Sequence, residues 1–369
     1  MKTGYIICHF PITKLQEKIQ MKKALVLFIF ALVLSVYSAP AKKTAKASRP
    51  SHPPQAKAID YPCTIDNSKQ KAIVYLAKGK SPRPLLVALH TWGGTYQQSC
   101  WNYAQYCVKN NWNFIFPHFR GQNWNPDGCG SDKAVQDIVD AVAYMKKVGK
   151  VDEKRVYLIG GSGGGHATLL LAGRHPELWT AVSAWCPISD IAAWHNECTT
   201  VNPRYKNSYA KHIERACGGN PQKDPEAKVQ AAKRSPLTYL ARAAKLKVDI
   251  NAGIHDGYKG SVLTSHSLNA FNVLADKKDQ LSKEEINSIV RDRKVPAKFG
   301  KPETDPVFGR ARVLFRRQSN LVRVTIFNGG HTILAAAGLD WLARQSRDKK
   351  VDWSVRKNKK AAKAAEIHK

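Results

Sequence analysis

The sequence predicts an α/β protein with a mostly parallel central sheet, helices on both faces and lid-like insertions. Three observations predict it. Short apolar runs alternate with helical segments along the chain. Several of those runs end in glycine-bearing turns. Two long polar or charged stretches, Asn196–Tyr239 and Lys277–Arg317, interrupt the alternation, as functional insertions do.

Ala72–Leu76 and Leu85–Leu89 read as early strands, Tyr96–Lys109 as a helix, and Phe114–Phe116 as the next strand. Asp132–Lys147 reads as an amphipathic helix because Val135, Ile138, Val139 and Val142 recur on one face. Val156–Ile159, Ala181–Trp185, Val248–Ala252 and Val322–Phe327 continue the sheet, and His166–Arg174 reads as a buried helix. The charged insertion at about 277–317 ends in a hairpin-like VLFRRQSNLVRV. The insertion at about 196–239, polar and aromatic, is expected to form a lid. No repeat of roughly 40–50 residues occurs, so no β-propeller is expected in this sequence.

The ends differ in character. Met21–Ala41 has a basic start, an apolar run too short to span a bilayer, and small residues after it. It reads as a signal peptide with Met21 as the start, so residues 1–41 are a leader, no transmembrane segment remains after cleavage, and export to the periplasm or medium is expected. Residues 42–58 read as a basic Pro/Ala/Lys linker and 346–369 as a basic tail, which leaves 59–345 as the α/β domain.

The 369 residues carry a formal charge of +31, about half of it within 59–345. Such an excess favours polyanions in general, and no aromatic-interleaved basic motif points to nucleic acid. Seven cysteines follow the leader: Cys63, Cys100, Cys107, Cys129, Cys186, Cys198 and Cys217. Secretion permits disulfides, an odd number leaves at least one thiol unpaired, and no C-x-x-C pair suggests zinc.

The chemistry concentrates in VYLIGGSGGGHATLLLAGR, Val156 to Arg174. A buried strand runs into glycines around one serine, and a helix follows. Gly160-x-Ser162-x-Gly164 fits a nucleophile elbow, a strained turn that lifts a hydroxyl above a parallel sheet. The competing reading, a phosphate-cradling turn, lacks the lysine of the G-K-[ST] ending.

A serine needs a base, and the base needs an orienting carboxylate. KVDINAGIHDGYKGS carries His255 and Asp256 in a glycine turn after an apolar strand, and LVRVTIFNGGHTIL carries His331 after another. Both lie past strand C-termini, where open α/β sheets gather ligands. Ser162, Asp256 and His331 form the candidate triad, in the order serine, acid, histidine. Asp190 is the rival acid. His166 follows the elbow on a helix that suits a base poorly, and His255 reverses the chain order. Donors for an oxyanion are expected from the backbone N–H of Gly163 and of either Thr91 or Trp92, in the turn HTWGG after Leu85–Leu89. The chemistry requires no metal and no cofactor.

The order LHTWGG, NFIFPHFRG, GGSGGGH, GIHDG, NGGH resembles the α/β-hydrolase catalytic domain of the prolyl oligopeptidase family, over roughly residues 60–345. It is most similar to the secreted single-domain members of bacterial polysaccharide-degrading repertoires. One departure stands out: the glycine-bearing loop between Asp256 and Val262–His266 is longer than the usual acid-loop spacing.

These readings predict a secreted serine hydrolase that cleaves carboxylic esters, including acyl groups on polysaccharide. Two alternatives are a serine peptidase of the same family and a non-catalytic polyanion-binding protein on the same fold. Trp92, Trp124, Trp185 and Trp194 could stack on a sugar, although buried aromatics usually serve the core. Arg120 could meet a substrate carboxylate or form a structural ion pair.

Overall fold

The computed structural model describes Met1 and residues 50–355. Residues 2–49, which hold nearly all of the expected leader and the first part of the expected linker, and residues 356–369 of the tail lie outside the described residues. Strands β1 (Lys57–Pro62), β2 (Lys69–Tyr75), β3 (Arg83–Leu89), β4 (Asn113–Pro117), β5 (Val151–Gly161), β6 (Ala181–Trp185), β7 (Lys247–Gly253), β8 (Val313–Ser319) and β9 (Val322–Phe327) form one sheet in the order β1-β2-β4-β3-β5-β6-β7-β9-β8. The inner strands from β4 to β9 pair in parallel. Only the pairs β1/β2, β2/β4 and β8/β9 at the two edges are antiparallel. This is an α/β-hydrolase fold, as the alternation of strand and helix predicts.

Period-two alternation in the strands feeds two cores, one on each face. Leu85, Val87, Val156, Leu158, Val182 and Ala184 point into one; Leu86, Ala88, Tyr157, Ile159, Ala181 and Trp185 point into the other. Both faces are covered, so the inner strands read as continuous apolar runs. The first core is closed by α2 (Asp132–Val148) and α3 (Gly163–Arg174), the second by α1 (Trp101–Asn110) and by α9 (Ala335–Leu342). In α2, Val135, Ile138 and Val142 are buried as the spacing predicts, and Ser131 caps its N-terminus by accepting from Ala134 N–H. Helix α1 starts later than the expected Tyr96, because the loop before it folds back to hydrogen-bond through Gln98.

Two boundaries move. Strand β1 begins at Lys57, inside the expected linker, and Ala56 is fully buried. The first residues of the expected tail are docked: Trp353 stacks on Trp341 with ring centroids 5.2 Å apart, and Lys247 Nζ donates to the Ser346 and Lys349 carbonyls. Backbone pairing and an aromatic stack override the low-complexity composition at both ends.

The stretch after β6 builds a third apolar cluster above the strand ends. Helices α4 (Ile191–Asn196), α5 (Lys211–Cys217) and α6 (Pro225–Lys233), with π-helical turns at Glu197–Val201 and Lys206–Ala210, make a cap. Its Trp194, Cys198, Ile213 and Ala231 pack with Trp92 and Val262 from the loops below. Helix α7 (Ser265–Leu274) returns the chain to the sheet. In the charged insertion, α8 (Lys283–Asp292) starts at a Ser282/Glu285 capping box and buries Ile286 and Ile289 in the first core. The hairpin-like segment after it is the β8–β9 pair. Among the described residues no helix is long and apolar enough to cross a membrane.

Candidate active site

Ser162 sits between β5 and α3 with φ 57° and ψ −121°. That backbone region is costly for a residue with a side chain, and the surroundings hold it there. Ser162 N–H donates to the Trp185 carbonyl, and the Ser162 carbonyl accepts from His166 N–H. Close packing dictates the glycines on either side. A Cβ on Gly160 would stand 2.3 Å from the Gly164 carbonyl oxygen, and one on Gly163 would stand 2.5 Å from the Trp92 backbone nitrogen.

That second contact brings together two of the candidate anion donors. It packs the Trp92 backbone nitrogen against Gly163, the residue after the serine, and neither residue's N–H has an acceptor among the described residues. Of the two residues expected to share this role in the early loop, Thr91 is excluded: its N–H and hydroxyl both donate to Gln98 Oε1 at 3.0 Å. The Trp92 loop is fastened by Asn123, whose N–H and side-chain amide both donate to the Trp92 carbonyl. No local pattern in the sequence marks Asn123.

Asp256 and His331 meet. His331 Nδ1 lies 2.8 Å from Asp256 Oδ2, which leaves Nε2 free. Asp256 is buried, and its Oδ1 accepts from the Gly257 and Val262 N–H groups at 2.7 and 3.2 Å. The longer glycine-bearing loop is therefore the cradle of this carboxylate. Its Gly260 is wedged so tightly that a Cβ would stand 2.3 Å from Asp256 Oδ1 and 2.4 Å from His331 Cβ. Asp190 does something else: it caps α4 by accepting from Ala193 N–H at 2.9 Å. His166 is buried with Nε2 on the Arg234 carbonyl, and burial pulls its pKa down to about 4. Cys186, with φ 45°, buries its thiol near the pair, and burial pushes its pKa well up. Among the described residues, all seven cysteines are buried free thiols.

Two expected substrate contacts are corrected. Arg120 Nε and Nη2 donate to Asp137 at 2.9 Å, and its Nη1 and Nη2 donate to Asp66 at 2.6 and 3.1 Å. Its side chain is 9 % exposed, so its fork is spent inside the fold. Trp185 is completely buried, with Nε1 on Ser183 Oγ and its ring against Phe308 and Phe327. It belongs to the core. The Trp92 ring is also buried, edge-on to Trp194 at 4.7 Å, with Nε1 donating to His212 Nδ1 at 3.3 Å.

What covers the site comes from the cap and from the loop after β4. Trp124 and His212 lie 4.6 Å apart beside the Trp92 loop, and Tyr209 contacts His212, Trp194 and Tyr205. Tyr205 Oη then reaches the Gly260 carbonyl at 3.0 Å. A half-buried arc of rings thus runs from the anion donors to the acid loop. Apart from Trp124, which stands in the loop after β4, these residues come from short helices and π-turns without apolar periodicity, which is why the sequence shows only that the segment is aromatic.

The comparisons bear on the family and the fold. The sequence profile described as prolyl oligopeptidase family matches residues 100–286, just over half of the chain. Acylamino-acid-releasing enzyme 1 of Oryza sativa subsp. japonica is 25% identical over 207 residues, 50% of this chain and 26% of that protein. Dipeptidyl aminopeptidase BIII of Pseudoxanthomonas mexicana is 28% identical over 192 residues, 48% of this chain and 25% of that protein. Feruloyl esterase B of Thermothelomyces thermophilus is 33% identical over 132 residues, 32% of this chain and 45% of that protein. In each case the chain spans less than half of the relative's length. Among solved structures, an acylaminoacyl peptidase bound to Z-Gly-Gly-Phe-chloromethyl ketone superposes with TM-score 0.56 at 13% identity. That match covers 81% of this chain and 43% of the other and bears on the fold alone. A strained serine between strand and helix and a profile match over half its length place one conclusion on the chain: it is a serine hydrolase belonging to the prolyl oligopeptidase family.

Proposed function

We propose that this hydrolase cleaves carboxylic esters, with acyl groups carried on carbohydrate as the substrate class, and that it works outside the cytoplasm after export by the Met21–Ala41 segment. Ser162 Oγ attacks the ester carbonyl while His331 Nε2 takes its proton. Asp256 holds the imidazole in the Nδ1–H tautomer and stabilises the cation that forms. Trp92 and Gly163 N–H groups bind the oxyanion. Collapse expels the alcohol, which takes the proton from His331, and leaves an acyl-serine. Water activated by the same imidazole then releases the carboxylic acid and restores the serine.

The character of the cap carries the choice of ester. A peptidase that grips a free amino terminus needs carboxylates at its rim. Here two cap acids are occupied: Glu197 faces His266 at 3.1 Å, and Glu214 binds His195 and Lys211. Arg204, Lys206 and Lys259 are exposed around the acid loop and repel an ammonium group. Rings arranged from Trp124 to Tyr205 suit a flat acyl group or a sugar face. The similarity to a protein named feruloyl esterase B supports the same choice.

The peptidase reading uses the same three side chains, and relatives named as peptidases favour it. One experiment separates the two. Purified protein is labelled with a fluorophosphonate and assayed in parallel on p-nitrophenyl acetate, methyl ferulate, acetylated xylan and aminoacyl- and prolyl-arylamides. Ester turnover with Ser162-dependent labelling is expected. Arylamide cleavage that exceeds ester cleavage moves the assignment to a peptidase. N-terminal sequencing of exported protein is expected to start near Ala39 or Lys42, and a cytoplasmic pool that keeps the leader overturns export.

A further inference from the structure

The acid loop is held from two sides. From the sheet side, Asp256 Oδ1 organises it by accepting from Gly257 and Val262 N–H. From the cap side, three side chains donate to its carbonyls. Arg204 Nη2 reaches the Tyr258 and Gly260 oxygens at 2.7 and 3.0 Å, Tyr205 Oη reaches the Gly260 oxygen at 3.0 Å, and Trp194 Nε1 reaches the Ser261 oxygen at 2.6 Å. Arg204 also stacks on the Tyr205 ring, 4.7 Å from its centroid, so the two donors move as one.

The loop needs such support. It contains two glycines and no regular structure between β7 and α7, so left alone it samples many backbone states. The positions the cap holds are also the ones that matter to the pair. Gly260 touches both Asp256 and His331, and its carbonyl is the one gripped twice.

We infer that Arg204 and Tyr205 are positioning residues: from the cap they lock the acid loop so that Asp256 meets His331 in working geometry. They touch no reacting atom and act through Gly260. The inference rests on the reading of Asp256 and His331 as the working pair. It makes the cap part of the catalytic apparatus as well as a wall of the substrate site.

The test uses Arg204→Ala, Arg204→Lys and Tyr205→Phe in the full chain. A hydrogen bond to a loop carbonyl has modest net worth, so kcat on p-nitrophenyl acetate is expected to fall roughly threefold to tenfold for Tyr205→Phe and roughly tenfold to a hundredfold for Arg204→Ala. KM stays within about twofold and Tm stays near that of the parent, because no core contact is lost. Arg204→Lys recovers part of the loss, since an ammonium reaches one of the two carbonyls. The strongly deshielded Nδ1 proton of His331, read by NMR without any substrate, shifts or broadens in the Ala variant. Parent-like kcat in both Arg204→Ala and Tyr205→Phe, with that resonance unmoved, overturns the inference; so does a loss of Tm alone. If the parent protein hydrolyses nothing and Ser162 takes no label, the functional reading fails by itself. The resonance still decides whether the cap sets the pair.

Discussion

His331 Nδ1 stands 2.8 Å from Asp256 Oδ2, and one glycine, Gly260, leans on both partners. Its missing side chain is what lets the acid loop close over the pair. Gly260→Ala puts a methyl group 2.3 Å from Asp256 Oδ1 and 2.4 Å from His331 Cβ, neither of which is a flexible chain end. The carboxylate or the imidazole must therefore move. A misplacement of about 1 Å in a catalytic constellation costs on the order of a hundredfold, so kcat/KM of Gly260→Ala is expected to fall by about that factor while far-UV circular dichroism is unchanged. Parent-like turnover would show that the loop gives way without disturbing the pair.

Arg120 provides the opposite case, a charged residue whose loss is felt by the fold. Its guanidinium bridges Asp137, whose side chain is fully buried, and Asp66 at the surface. Arg120→Ala leaves the Asp137 carboxylate buried without a counter-charge, which costs about 3–5 kcal/mol. Denaturant unfolding is expected to show that loss, whereas KM on any ester stays close to the parent value. A large rise in KM with unchanged stability would return Arg120 to the substrate site.

Acid sensitivity is expected from His166. Burial lowers its pKa from 6.5 to about 4, with the nearby Arg234 cation adding to the effect and the Arg234 carbonyl opposing it. The folded protein therefore resists protonation that the unfolded chain accepts. The resulting stability is complete above pH 6.5 and is lost as the pH falls toward 4, with a full span of about 3 kcal/mol. Tm measured from pH 7.5 to 4.5 is expected to drop, and His166→Gln, which keeps a donor for the Arg234 carbonyl, is expected to drop less. Equal acid slopes for both proteins would exclude His166 as the source.

Residues that announce themselves locally were legible. Ser162 follows a strand of β-formers and stands among glycines, and Asp256 and His331 each end a strand in a glycine turn; the structure brings the last two together. For Arg120 and Trp185 the sequence leaves a substrate contact and a structural role open, because it displays charge and aromaticity but not partners. Asp66 and Asp137 lie far from Arg120 along the chain, and only the sheet's topology makes Trp185 a core residue. Thr91 and Trp92 were inseparable by pattern, since what distinguishes them is a hydrogen bond from Thr91 to Gln98. The cap was visible as an aromatic insertion, yet the roles of Arg204, Tyr205 and Asn123 depend on contacts to loops distant in sequence.

The acid itself supplies the sharpest comparison. Two aspartates keep the order serine, acid, histidine and follow strands, but their surroundings differ. Asp256 presents one oxygen to His331 and the other to two backbone N–H groups. Asp190 spends its carboxylate on Ala193 N–H at the start of a helix. Replacing Asp256 by Asn keeps the volume but gives the imidazole a partner that no longer enforces the Nδ1–H tautomer or stabilises the imidazolium, so kcat is expected to fall by up to about 10⁴ with little change in KM. Asp190→Asn keeps an acceptor oxygen for Ala193 N–H, and its cost is a few tenths of a kcal/mol to about 1 kcal/mol of stability, with turnover near that of the parent. Steady-state kinetics on both variants read the difference directly. If Asp190→Asn is the slow enzyme and Asp256→Asn the normal one, the carboxylate that serves His331 is not the one beside it in the structure. Ser162 and His331 keep their proposed roles under either outcome, because neither depends on which acid completes the set.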